Sequence, residues 1–99
     1  MTAEQANNMI RALNPDPGAY LMINGQRFKV WKAEVARDSS SLEAGTVVAN
    51  KGRFAISFAD NTVLNLLEVQ PSGKKRMNIK NFLNGQGSKF VTGEEIVDK

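Results

Sequence analysis

The chain has 99 residues, 41% of them hydrophobic, enough for one small domain around one core. It has no Cys and no His, which excludes disulfides, thiolate metal sites and every Ser-His or Cys-His nucleophile system. Its 13 Lys and Arg against 10 Asp and Glu leave a formal charge of +3, so the placement of charge says more than its sum.

In chain order, Thr2 followed by Gln5 reads as a capping box. Ala3, Ala6, Ile10 and Leu13 then recur on one face, which predicts a helix from Ala3 to Leu13. Pro15 stops it by biasing Asn14 away from helical backbone, and Asn14-Pro15-Asp16-Pro17-Gly18 forms a stiff turn. Tyr20 to Ile23 reads as a strand, and Asn24-Gly25 is a strong hairpin signal leading into a second strand, Gln26 to Ala36.

That second strand breaks phase once. Phe28 and Val30 face one way, and then Trp31, Ala33 and Val35 take over that face. A one-residue shift flips every later side chain, so an extra residue must be absorbed near Val30–Trp31, as in a bulged strand. Arg27, Lys29 and Lys32 then point outward. Trp31 is assigned to the core by the same phase.

Arg37 to Ala44 is polar and Ser-rich and reads as a mobile loop. Thr46 to Ala49 and Arg53 to Phe58 are strands joined at Asn50-Lys51-Gly52, with Phe54, Ile56 and Phe58 sharing a face. Asp60-Asn61 turns the chain into a strand from Thr62 to Val69. There the phase slips again, with Leu64 and Leu66 on one register and Leu67 and Val69 on the other. Asn78 caps a short helix from Ile79 to Asn84, ended by Gly85, whose Phe82 and Leu83 dock on the sheet. Phe90-Val91 adds a last strand.

These elements predict one domain over residues 1–99. The fold class is mainly β: a small OB-like Greek-key β-barrel of five to six strands, with an N-terminal helix and a short C-terminal helix.

Little of the chain carries chemistry. Gly85-Gln86-Gly87-Ser88 lacks the strand-loop-helix frame and the lysine of a phosphate-binding loop. No pair of carboxylates suggests acid–base work, and Glu94-Glu95 read as a solvated tail. Met1 to Asn8 is too polar for the apolar stretch of a signal peptide, and no apolar run approaches the ~20 residues of a membrane span. The expected setting is the cytoplasm, with no catalytic residue, metal site or cofactor on this domain.

The informative stretch is Pro71-Ser72-Gly73-Lys74-Lys75-Arg76-Met77. Between Val69 and Gly93 stand five cations (Lys74, Lys75, Arg76, Lys80 and Lys89) and no Asp or Glu. Arg offers a bidentate fork to phosphate and Lys a mobile point charge. Lys74, Lys75 and Arg76 are the leading candidates for nucleic-acid contact, with Arg27, Lys29 and Lys32 on the bent strand; Lys80 is a weaker candidate that reads first as solvated surface. Arg53 reads first as solvated surface, Tyr20 as structural, and Arg11 as a helix-surface or ion-pair residue.

Three segments in order resemble the C-terminal domain of the methionyl-tRNA formyltransferase family. They are Ile10-Arg11-Ala12-Leu13-Asn14-Pro15-Asp16-Pro17-Gly18-Ala19-Tyr20, then Lys29-Val30-Trp31-Lys32-Ala33, then Leu67-Glu68-Val69-Gln70 running into the basic loop. Phe82-Leu83-Asn84-Gly85 and Phe90-Val91-Thr92-Gly93 resemble that domain's closing helix and segment. Asp16 stands where a tryptophan is usual between the two prolines. The resemblance implies a non-catalytic, OB-like tRNA-binding domain that helps position initiator methionyl-tRNA for translation initiation. It also implies a separate catalytic domain that draws the formyl group from 10-formyltetrahydrofolate. The alternative is a protein-interaction module that bridges domains in a formyl-transferring enzyme, or a stand-alone paralogue with a repurposed surface.

Overall fold

The computed structural model describes residues 1–14, 18–23, 26–50, 53–85 and 97–98. Helix α1 spans Ala3–Leu13, followed by strands β1 (Ala19–Ile23), β2 (Gln26–Val35), β3 (Val47–Asn50) and β4 (Arg53–Ser57). A single 3-10 turn at Ala59–Asn61 leads to β5 (Val63–Pro71). Then come β6 (Met77–Asn78), α2 (Ile79–Gly85) and β7 (Val97–Asp98). The expectation of a mainly β fold with a helix towards each end is borne out.

The strands form one curled sheet in the order β3-β4-β5-β2-β1-β7, with β6 added to the far end of β5. β3, β4 and β5 are a meander, and β2 returns through a long connection to lie beside β5, which is the Greek-key order. Every ladder is antiparallel. β7 pairs with Met22 and Ile23 of β1. The sequence predicts no strand at Val97–Asp98, because nothing in the local pattern marks one. Phe90-Val91, Glu94-Glu95, Lys89, the Gly-rich stretch after Gly85 and the centres of three turns lie outside the described residues.

Both phase slips fall in the ladder between β2 and β5. Val30 opposes Val69 and Lys32 opposes Glu68, so Trp31 is the extra residue on β2. Ala33 then opposes Leu66, so Leu67 is the extra residue on β5. One bulge on each strand restores the register within three residues and bends the pair, which is how a short sheet curls around a core.

The core lies inside the curl. Phe28, Val30, Phe54, Ile56, Leu64, Leu66 and Val69 are buried with Ala3, Ala6 and Ile10 of α1 and with Phe82 of α2. Helix α1 begins and ends where its side chains dictate. Thr2 Oγ1 accepts from Gln5 N at 3.3 Å, and Gln5 Oε1 accepts from Thr2 N at 2.9 Å. Asn14 Nδ2 donates to Ile10 O at 2.8 Å and to Val30 O at 3.0 Å, pinning the helix end to β2 just before its bulge. The β4–β5 turn works because Asp60 (φ 60°) and Asn61 (φ 59°) accept left-handed backbone, with Thr62 N donating to Ala59 O at 3.2 Å.

The Ser-rich segment is a loop, as expected, and it is tied to the sheet. Ser40 N donates to Asn61 O, Ser57 Oγ donates to Ser40 Oγ, and Leu42 packs on a second cluster of Val48, Ala55 and Val63. Apolar residues on the outer side of β3–β5 need this cover.

Helix α2 is capped by Asn78 Oδ1, which accepts from Asn81 N at 2.8 Å. Its Phe82 is fully buried, edge-on to Phe28 of β2 (5.6 Å between centroids) and to Phe54 of β4 (5.1 Å). Phe82 therefore joins two strands that share no ladder among the described residues. Phe82→Ala should cost about 3–5 kcal/mol, read as a lowered urea midpoint. A loss under about 1 kcal/mol would mean that α2 is not part of the core.

Candidate nucleic-acid interface

The hairpin of β1 and β2, together with the end of β5, presents one outer face. Alternation sends Phe28 and Val30 inward, so Arg27 and Lys29 point out. Trp31 departs from its expected place in the core. It continues the outward alternation of Arg27 and Lys29, so the phase breaks after it rather than before it, and its half-buried ring lies on the outer face. Ala33 does return to the core side, whereas Val35 is exposed.

Cations and rings interleave on this face. The Arg27 guanidinium lies 4.0 Å from the centroid of Tyr20, which is 44% exposed. Lys29 Nζ lies 4.0 Å and the Arg76 guanidinium 4.4 Å from the centroid of Trp31. Trp31 Nε1 donates to Gln70 Oε1 at 3.1 Å, and Gln70 Nε2 donates to Lys74 O at 3.1 Å. The tryptophan is thereby linked to the backbone of the basic loop. Gly18 (φ +95°) lies directly under Lys29, where a Cβ would collide with the lysine side chain.

The basic loop begins with a tight turn. Lys74 N donates to Pro71 O at 3.0 Å around Gly73 (φ 76°), a positive φ that glycine takes without strain. Ser72 N donates to Arg27 O at 2.9 Å, holding the turn against β2. Between the turn and the hairpin lies an open cleft of about 310 Å³ lined by Tyr20, Arg27, Lys29, Gln70, Ser72 and Gly73. Lys74 and Lys75 are exposed beside it.

One carboxylate enters this cluster. Arg76 donates to Glu68 Oε1 from Nε at 2.8 Å and from its terminal nitrogen at 2.7 Å, while Lys32 Nζ lies 3.3 Å from Oε2. The Arg76 hydrogen bonds hold the Glu68 carboxyl below its ordinary range, against the opposing effect of partial burial and with help from Lys32. The three groups together keep a net charge of +1.

Four of the seven candidate cations, Arg27, Lys29, Lys32 and Arg76, are therefore brought together through Tyr20, Trp31 and Glu68, and Lys74 and Lys75 are exposed on the loop next to Arg76. Lys80 is exposed on α2. Arg53, read as solvated surface, is instead fully engaged. Its fork takes both Asp38 oxygens at 2.8 Å and its Nε donates to Asn65 Oδ1 at 2.8 Å. This pairing holds the Asp38 carboxyl below its usual range as well. Arg11 bonds Asn8 on the helix surface. Sequence reasoning missed Glu68, although the phase slip around Leu67 was the signal that turns it outward.

A family model described as formyl transferase, C-terminal domain, matches residues 1–87. The chain belongs to that family. It is 98% identical over all 99 residues to a methionyl-tRNA formyltransferase from Lactobacillus acidophilus and 73% identical to one from Lactobacillus delbrueckii subsp. bulgaricus. Over 99% of its length it is 37% identical to a methionyl-tRNA formyltransferase from Lactiplantibacillus plantarum. The chain spans about a third of the length of these relatives (32%, 31% and 32%). Among the described residues no helix is long and apolar enough to cross a membrane.

The lowered carboxyls give a pH prediction. Each stays ionised to lower pH in the folded chain than in the unfolded one. Its contribution is complete above the ordinary carboxylate range and is lost as pH falls through the lowered value. Glu68→Gln should thus be less stable than the parent at neutral pH, with the gap closing in acid. Urea denaturation across this range checks it, and a gap that does not change with pH would contradict it.

Proposed function

We propose that this domain is a non-catalytic, cytoplasmic tRNA-binding module of a methionyl-tRNA formyltransferase, positioning the initiator tRNA through its basic face. The observation that carries this reading is the grouping of Arg27, Lys29 and Arg76 on the Tyr20 and Trp31 rings, with Lys32 joined to Arg76 through Glu68 and Lys74 and Lys75 exposed on the adjoining loop. Lys and Arg on a rigid sheet suit the sugar-phosphate backbone, which positions a ligand without reading its sequence. The family and the names of the relatives supply the tRNA. Formyl transfer from 10-formyltetrahydrofolate would then belong to a separate catalytic domain, and this domain would carry no cofactor.

Binding by the domain alone should be weak, with a Kd of roughly 10⁻⁴ to 10⁻⁶ M, and should loosen steeply with salt. Titration of unacylated tRNA at several salt concentrations tests this. Reversing Lys74, Lys75 and Arg76 to Glu should weaken binding by about tenfold or more. An unchanged affinity would remove the loop from the interface.

A second reading, protein docking, is favoured by one observation. Met1, Met9, Tyr20 and Met22 are large exposed apolar side chains, and Met1, Met9 and Tyr20 line an apolar cleft between α1 and β1. This edge suits contact with the catalytic portion of a formyltransferase. Polar substitution of Met9 should weaken co-purification with that portion and leave tRNA affinity within about twofold, since no charge changes. The reverse pattern would assign this edge to RNA.

A further inference from the structure

The carboxylate of Glu68 sits where a phosphate would sit. A guanidinium approaches one of its oxygens through two nitrogens and an ammonium approaches the other, from two separate elements of the fold. Two cations converging on one two-oxygen anion is also the arrangement that binds a phosphodiester. We propose that Lys32 and Arg76 form a phosphate seat occupied in the free domain by Glu68, and that a polyanion must displace this carboxylate to engage them. The inference rests on the tRNA-binding reading and adds to it a residue that tempers binding.

The surroundings make displacement feasible. Glu68 opposes Lys32 across the bulged ladder, and both side chains reach solvent, Lys32 at 63% and Glu68 at 25% exposure. An ion pair this accessible is weakly held, so phosphate can exchange with it. Arg76 also lies over the Trp31 ring while it bonds Glu68, a contact it can keep when the carboxylate leaves. The consequence is selectivity. A lone anion gains little by replacing one carboxylate, whereas a polyanion already held by Lys74 and Lys75 does so from within the complex.

The test compares Glu68→Gln with Glu43→Gln, a neutralisation of the same size in the exposed loop before β3. Unacylated tRNA is titrated into each intact domain at one low salt concentration. Glu68→Gln should bind roughly three- to tenfold more tightly than Glu43→Gln, the range expected when two exposed ion pairs are released. In a background carrying Lys32→Gln and Arg76→Gln this advantage should vanish. The fluorescence of Trp31, the single tryptophan, should change on binding in the parent as Arg76 leaves Glu68. Equal affinity of the two single variants, or an advantage that survives loss of Lys32 and Arg76, overturns the inference. If the parent binds tRNA and the loop reversal abolishes binding while the two neutralised variants match, the phosphate seat fails alone. If no variant binds tRNA, the underlying reading fails with it.

Discussion

The pair of single-residue bulges in the β2·β5 ladder is the constraint on which the rest of the structure depends. Trp31 on one strand and Leu67 on the other each lack an opposite number, and they lie within three residues of each other. An unmatched bulge would have flipped one strand's later side chains out of the core. Two of them, one per strand, cancel. Ala33, Leu64 and Leu66 stay on the core side with Val30 and Val69, and the strand pair bends.

The same event builds the candidate interface. Trp31 continues the outward run of Arg27 and Lys29 and lies among Lys29, Gln70 and Arg76, and the slip that follows it turns Lys32 to the same outer face. Skipping Leu67 turns Glu68 out against Lys32 and brings it within reach of Arg76. Curvature of the scaffold and the grouping of charge are thus two results of one irregularity. The aromatic groups hold the cations in place by contact with their faces, which leaves the charges near water and available to an anion.

Much of this was legible in the sequence, and the parts that were not share a cause. The limits of α1 were readable because capping and helical period are local properties of Thr2, Gln5 and the apolar stripe. The existence of both phase slips was readable because alternation is also local. The direction Trp31 would take was not, since it depends on which residue the partner strand omits. The pairing of Val97–Asp98 with β1 and the salt bridge between Arg53 and Asp38 are likewise long-range, and neither segment carries a local signal for its partner.

The central claim is that tRNA lies across the outer face of β1, β2 and the Pro71–Arg76 loop. Mapping backbone amide and indole resonances of the labelled domain during addition of tRNA tests this most directly. The account predicts shifts confined to that face, with the Trp31 indole among the largest. Shifts centred instead on the segment around Asp38 and Arg53, with the indole unmoved, would contradict it.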